Sequence, residues 1–196
     1  MRHDRETRAG GIVVRPTSEA DLPGIISGIA SRTPEQHRRR LDDHERGTGF
    51  TELIAWRDGV AVGFVGLGFH DDSSPEELME SRGYALVTDL HVEVPHRRQG
   101  AGRALMLTLE DVAREAGAAG VILDAATSES FAAARALYRS LGYADQGGPY
   151  LGGWSDPDVP GRHLVDELRV WLKPFSAGHD RRAGGTRHRD RGTVAT

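Results

Sequence analysis

The run Pro95-His96-Arg97-Arg98-Gln99-Gly100-Ala101-Gly102-Arg103-Ala104-Leu105 constrains this chain more than any other stretch. It breaks an apolar strand pattern with a basic, glycine-rich turn and restarts as a helix. A turn of that kind aims several backbone N–H groups and the positive end of a helix at one point, which suits a phosphate. The expected ligand is therefore a phosphate ester. The spacing excludes two common phosphate loops. The run lacks the glycine frame and Gly-Lys-Ser/Thr ending of a nucleoside-triphosphate loop, and no third glycine follows Gly102 as a dinucleotide fingerprint requires.

The flanks match this placement. Residues 84–94 read as a strand whose apolar positions include Leu86, Leu90, Val92 and Val94. Leu105, Leu109, Val112, Ala113 and Ala116 form the apolar stripe of a helix over 101–116 that stops at Gly117. Upstream, Gly11 to Arg15 read as a first strand, and Ser18 with Asp21 three residues later signals a helix start. Thr33-Pro34-Glu35-Gln36 signals a second start, with Thr33 as N-cap, Pro34 at the first helical position and Gln36 closing a capping box. Phe50–Trp56 and Val60–Phe69 flank Arg57-Asp58-Gly59, an Asp-Gly hairpin turn. Glycines 63, 66 and 68 in the second of these strands predict bulges or close packing. After a polar loop over 70–83 and the elements already named, Gly120–Ala125 read as a buried strand. Phe131, Ala134, Tyr138 and Leu141 share a helical face capped by Gly142, and two last strands lie near 143–148 and 163–173.

At 196 residues and 38% hydrophobic content, the chain suits one domain with a real core. Residues 1–10 and 176–196 contain little to bury and are expected to be disordered, leaving 11–175 as the folded domain. The 176–196 tail is locally basic, with five arginines against two aspartates. With no membrane-length apolar run and no signal-peptide pattern, a soluble, cytoplasmic protein without a membrane partner is expected. The lack of cysteine excludes disulfides, thiolate nucleophiles and cysteine-ligated metals, and the histidines show no spacing with carboxylates that makes a metal site. A net charge of -4 gives the domain body no reason to bind nucleic acid.

With Arg97 first and Gly100 and Gly102 as its glycines, the turn resembles the pyrophosphate loop of the GNAT superfamily of acyl-CoA-dependent N-acyltransferases, Arg/Gln-x-x-Gly-x-Gly/Ala. The resemblance extends from about Ile12 to Phe175. A second segment, Ala134-Arg135-Ala136-Leu137-Tyr138-Arg139-Ser140-Leu141-Gly142-Tyr143, resembles the family's Ala-x-x-Leu-Tyr-x-x-x-Gly-Phe/Tyr. The resemblance implies an α/β (α+β) GNAT fold, with a central mixed, mostly antiparallel sheet flanked by about four helices. It implies acetyl-CoA as co-substrate and no metal. Arg97, Arg98, Gln99, Gly100, Ala101, Gly102 and Arg103 would take the pyrophosphate, and the strand end Leu90-His91-Val92 would hold the pantetheine and the thioester carbonyl, with backbone N–H groups as oxyanion donors. One departure concerns the pantetheine arm. Many relatives carry Asn three residues before Ala134, where this chain has Phe131, and Ser128 or Ser130 could replace that contact.

Acyl transfer from a thioester to an amine needs a neutral amine, an oxyanion site and a proton for the leaving thiolate. By resemblance, Tyr138 is the tyrosine that protonates the departing sulfur, whereas its place on an apolar helix face alone reads as core. A phenol with reference pKa near 10 can act while neutral. Asp89 lies inside an apolar strand, where a carboxylate costs free energy unless it is paired or faces a cavity. It either binds the substrate ammonium and accepts its proton or pairs with an arginine. Relatives acting on small amines often read Glu-Asp-Leu-Tyr-Val here, so Thr88 replaces the first acid. Period-two alternation puts His91 on the face of Asp89 and Glu93, where it could relay a proton.

In the 70–83 loop, Asp71, Asp72, Glu76, Glu77 and Glu80 against Arg82 alone favour a cationic acceptor. Tyr150 and Trp154, in the segment 148–161, could wall its pocket. The expected function is transfer of an acetyl group from acetyl-CoA to the primary amine of a small molecule. A protein N-terminal acetyltransferase and a non-catalytic CoA-binding sensor or assembly module are the alternatives, and a homodimer stays open.

Overall fold

In the computed structural model, residues 7–47, 49–68, 83–155 and 161–175 are described, excluding the side chains of 7–9, 154, 155 and 164. The chain runs β1 (Thr7–Ala9), β2 (Ile12–Pro16), α1 (Leu22–Gly28), α2 (Pro34–Glu45), β3 (Phe50–Arg57), β4 (Val60–Gly68), β5 (Tyr84–Val92), α3 (Ala101–Glu115), β6 (Gly120–Ala126), α4 (Ala132–Ser140), β7 (Ala144–Ser155) and β8 (His163–Pro174). All strands join one eight-stranded sheet in the order β1-β2-β3-β4-β5-β6-β8-β7. Only β5 and β6 pair in parallel, so the sheet is mixed and mostly antiparallel, as expected.

Several elements follow directly from local chemistry. The capping box at α2 forms: Gln36 N–H donates to Thr33 Oγ1 (3.3 Å) and Thr33 N–H to Gln36 Oε1 (2.7 Å). Arg57 pairs with Val60, leaving Asp58-Gly59 as a two-residue turn with φ of 49° and 81°. Both positive angles fit the turn that matches strand twist in a hairpin. The start signalled by Ser18 turns out differently. Residues Glu19–Asp21 make a short 3-10 turn and Ser18 makes no side-chain cap. Its hydroxyl instead donates to Asp21 Oδ2 (2.5 Å), whose carboxylate Arg15 also grips (2.5 and 2.6 Å), so the acid is drawn away from the helix end.

The sheet separates two apolar layers. Leu105, Met106 and Leu109 of α3, all fully buried, lead the larger cluster, which includes Tyr138, Leu141 and Tyr143 and the inward faces of β2 to β6. Ile25 and Ile29 of the α1 segment pack with Ile54, Trp56 and Phe64 on the opposite face. Each such side chain stabilises the fold by about 1.5–3 kcal/mol on burial. Glu110 of α3 is 1% exposed and is held by Lys173 of β8 (2.6 Å) and Arg114 (3.1 Å).

Two boundaries move relative to expectation. Thr7–Ala9, assigned to a disordered arm, pair with β2 as an edge strand. The strand expected near 143–148 continues to Ser155, so most of the segment 148–161 is sheet. β7 is the other edge strand, paired on one side only, and an edge tolerates glycines and a proline that a central strand would not. The acidic residues of the 70–82 stretch, the tail 176–196 and the Trp154 side chain lie outside the described residues. Among the described residues, no helix is long and apolar enough to cross a membrane.

Candidate active site

The sheet opens where β5 and β6 part. Their parallel pairing covers only Tyr84–Leu86 against Gly120–Ile122, yet β5 continues to Val92 and β6 to Ala126, the latter still paired to β8 on its far side. Beyond Leu86 and Ile122, the facing strand edges therefore have unpaired backbone. A crevice at the carboxyl ends of parallel strands is where α/β sheets bind ligands. The basic loop leaves β5 at this opening and starts α3, while a short turn leaves β6 and starts α4.

A bulge shapes the β5 side. Phe64 pairs with His91 and Gly66 with Thr88, so Asp89 and Leu90 together oppose Val65. Asp89 has φ of 52°, a left-handed conformation uncommon for a residue with a β-carbon. The glycines explain the close approach of β4. A β-carbon at Gly63 would lie 2.6 Å from the His91 carbonyl, and one at Gly66 would lie 2.4 Å from Thr88 Oγ1. The bulge also resets the faces. Ala85 and Val87 face the α3 cluster, and past the bulge Leu90 and Val92 take over that side, while His91 stacks on Phe64 of the other cluster at 5.3 Å between centroids.

Three acids gather on the His91 side. Asp89 pairs with Arg32 (3.2 Å) and Arg40, its side chain 44% exposed. Arg32 also binds the buried Glu52 (2.5 Å) and lies 3.6 Å over the Phe64 ring. Glu93 Oε1 accepts the Ser31 hydroxyl (2.8 Å) and N–H (3.2 Å) and lies 3.6 Å from His91 Nε2. The connection between α1 and α2 is thereby tied to the bulged strand. The arginine partner foreseen for Asp89 is present twice over, and His91 and Glu93 lie on its side as alternation gives; the bulge turns that side away from the α3 cluster that Ala85 and Val87 face.

In the loop, Arg98 (φ 63°) and Gly100 (φ 93°) take left-handed conformations, and the first helical bond runs from the Ala104 N–H to the Gly100 carbonyl (3.0 Å). The N–H groups of Ala101, Gly102 and Arg103 precede that bond and form the open end of α3. A β-carbon at Gly102 would touch Leu137 at 3.4 Å and Val92 at 3.7 Å, so the helix start, the end of β5 and α4 converge there. Arg103 reaches the Ser140 hydroxyl of α4 (3.3 Å), and Arg97 Nε donates to the Val92 carbonyl (2.8 Å). Gln99 has a different task. Its side-chain oxygen and its carbonyl accept from Arg57, and its amide nitrogen donates to the Pro95 carbonyl, so the side chain is spent on shaping the turn.

On the β6 side, Tyr138 is 6% exposed, its ring 6.0 Å from Tyr143 and 6.4 Å from Trp171. Burial and the nearby Asp124 carboxylate push its phenol above the ordinary value, so it stays protonated at any physiological pH. Asp124 itself is exposed, two residues beyond the last β5–β6 pair, and accepts the Tyr150 hydroxyl at 2.6 Å. Burial, and then that bond, raise the Tyr150 phenol as well. Sequence reasoning missed Asp124, although its signal was that used for Asp89, an acid in the apolar strand Gly120-Val121-Ile122-Leu123-Asp124. It missed Arg32 and Glu52 too. At the turn into α4, the Ser128 and Ser130 hydroxyls lie 3.2 Å apart, and Arg135 ties the Ala126 (2.5 Å) and Ser128 (2.7 Å) carbonyls to the helix.

The family model of the Acetyltransferase (GNAT) family matches residues 21–143. N-acetyltransferase 8 of Homo sapiens is 36% identical over 111 residues, covering 57% of this chain and 45% of that protein. The IAA acetyltransferase of Azospirillum brasilense is 33% identical over 100 residues, covering 50% of this chain and 58% of that protein. The chain thus spans about half the length of the curated relatives it matches. Among solved structures, a ribosomal-protein-alanine N-acetyltransferase from Brucella melitensis superposes with a TM-score of 0.60 at 25% identity, covering 83% of this chain and 99% of that one. An acetyltransferase from Salmonella typhimurium, solved with its cofactor acetyl-CoA, gives 0.60 at 20% identity over 88% and 99%. Loop, diverging strands and family match agree, and the chain belongs to the GNAT acetyltransferase family.

Proposed function

We propose that the protein transfers an acetyl group from acetyl-CoA to a primary amine, that of a small molecule. The observation that carries this is the divergence of β5 from β6 directly beside the open helix start of α3. The residues fit the donor. Uncapped N–H groups and the guanidiniums of Arg97, Arg98 and Arg103 suit a pyrophosphate, and no side chain at Gly102 blocks the approach. The unpaired edge of β5 suits the amide-bearing pantetheine arm, which can bond to it as a strand would, with backbone N–H groups near Leu90 and Val92 directed at the thioester oxygen.

The acceptor amine must lose a proton and the thiolate must gain one. Two carboxylates border the opening. Asp89 is already shared by two guanidiniums, so its role is to order the α1–α2 connection. Asp124 has the neutral phenol of Tyr150 as its hydrogen-bond partner, which leaves its charge to attract an ammonium, and it takes the acceptor's proton directly or through water. Tyr138 remains protonated and supplies the thiolate's proton. His91 is packed against Phe64 and Glu93 and acts through the shape of the bulge.

A protein amino terminus is the second reading, favoured by the Brucella relative's name. Acetyl-CoA turnover read by thiol release, across polyamines, aminoglycosides, amino acids and peptides, separates the two. Turnover on a peptide alone overturns the small-molecule assignment, and CoA binding without turnover on any acceptor overturns the enzyme. Asp124→Asn, assayed on whichever acceptor responds, should lose activity at neutral pH and recover part of it at high pH, where more amine is already neutral.

A further inference from the structure

The phosphate loop holds two left-handed residues, one of them strained. Arg98 holds a left-handed φ of 63°, costly for a residue with a β-carbon, and Gly100 follows at 93°. Arg98 and Gln99 are both exposed, so burial does not fix the turn. An unsupported loop of this kind would be ordered only on binding, and its ligand would bear that entropy cost.

Support comes from another part of the sheet. Arg57 ends β3, where its backbone is paired to Ile12 on one side and Val60 on the other. Its guanidinium donates to the Gln99 side-chain oxygen and, through the second fork nitrogen, to the Gln99 carbonyl (2.8 Å). Gln99 in turn donates to the Pro95 carbonyl (3.0 Å), closing the turn upon itself. A planar fork that reaches a side-chain oxygen and a main-chain oxygen of one residue fixes both the position and the tilt of that peptide. A lysine, with one nitrogen, cannot do so.

We infer that Arg57 is a positioning residue for donor binding: it clamps Gln99 so that the left-handed turn at Arg98 to Gly100 is formed before the ligand arrives. This rests on the loop being the acyl-CoA site. Arg57 acts through Gln99, and its contact with an exposed residue contributes little to overall stability, so its effect is local.

Amide exchange without ligand, followed by mass spectrometry, tests the clamp itself. In Arg57→Ala, a peptide covering 98–103 should exchange about fivefold faster, while peptides from the body of α3 and the melting temperature stay unchanged. CoA affinity by calorimetry should weaken about fivefold in Arg57→Ala and equally in Arg57→Lys, which keeps the charge and loses the fork. Unchanged exchange and affinity in Arg57→Ala overturn the clamp. Full affinity in Arg57→Lys also overturns it, since charge alone would then suffice. Should Arg57→Ala fail to fold, Arg57→Lys and Gln99→Ala, which removes one of the two acceptors, carry the same comparison. If the wild-type protein does not bind CoA, the donor assignment fails, and the exchange measurement still decides the clamp.

Discussion

Replacing Gly102 with alanine separates what the loop does for a ligand from what it does for the fold. The added β-carbon would meet Leu137 at 3.4 Å and Val92 at 3.7 Å, both ordinary contact distances, and the backbone there needs no left-handed angle. The folded protein should therefore be unharmed, or stabilised by up to about 0.5 kcal/mol through the smaller chain entropy of alanine. A ligand meets a different surface. A phosphate oxygen bonded to an N–H in the first turn of α3 lies at about 2.9 Å, and a methyl group beside that N–H holds it off. Each charge-assisted bond so lost costs about 1.5–3 kcal/mol, or roughly ten- to hundredfold in CoA affinity. Calorimetry for affinity and a thermal melt for stability, on one preparation, should move in opposite directions. Unaltered affinity in a folded Gly102→Ala protein would refute the placement of the pyrophosphate. Gly100 gives a poorer test, because at φ of 93° any side chain strains the fold as well.

Tyr138→Phe keeps the ring packed against Tyr143 and Trp171 and should lower kcat by about 10²-fold with CoA affinity retained; wild-type kcat, with chemistry limiting, would leave Tyr138 a core residue. Asp89→Asn should cost about 1 kcal/mol or less, its side chain being 44% exposed, and should raise KM for the acceptor without moving the pH dependence of kcat. A displaced pH–rate profile would make Asp89 the proton acceptor instead. His37 is buried, bonded through Nε2 to the Ile29 carbonyl (3.2 Å), and burial holds its pKa below the usual 6.5. The unfolded chain then binds a proton that the folded one refuses, so stability should fall as pH drops below about 6.5, down to the folded value. Chemical denaturation from pH 7.5 to 5 checks this, and a His37→Gln protein with the same slope would remove His37 as its source.

The legible parts were those where backbone geometry demands a residue type. Asp58-Gly59, Thr33 with Gln36, and Gly100 each sit where a turn, a cap or a left-handed helix start leaves little choice. The Arg32–Glu52–Asp89 network is different in kind. Its members stand 20 and 57 residues apart, and nothing local marks Arg32 among many arginines as the one that folds over Phe64. The bulge at Asp89 and Leu90 was also hidden, because one extra residue reverses the faces of a strand without changing its composition. Asp124 was readable, and was passed over because its strand looked wholly buried. The strand expected near 143–148 fell short of β7 because nothing local shows that this strand has one neighbour, and an edge can carry Gly147, Gly148 and Pro149.

The bond between Lys173 and the buried Glu110 has a practical outcome. Lys173 is the chain's one lysine, and its nitrogen is committed to a carboxylate 2.6 Å away beneath α3. Under the acetyl-CoA chemistry proposed above, the chain offers reactive thioesters no idle lysine to acylate by accident. The same nitrogen becomes a nucleophile once β8 leaves α3. An amine-directed label at Lys173 therefore reports, at a single site, how often that part of the fold comes apart.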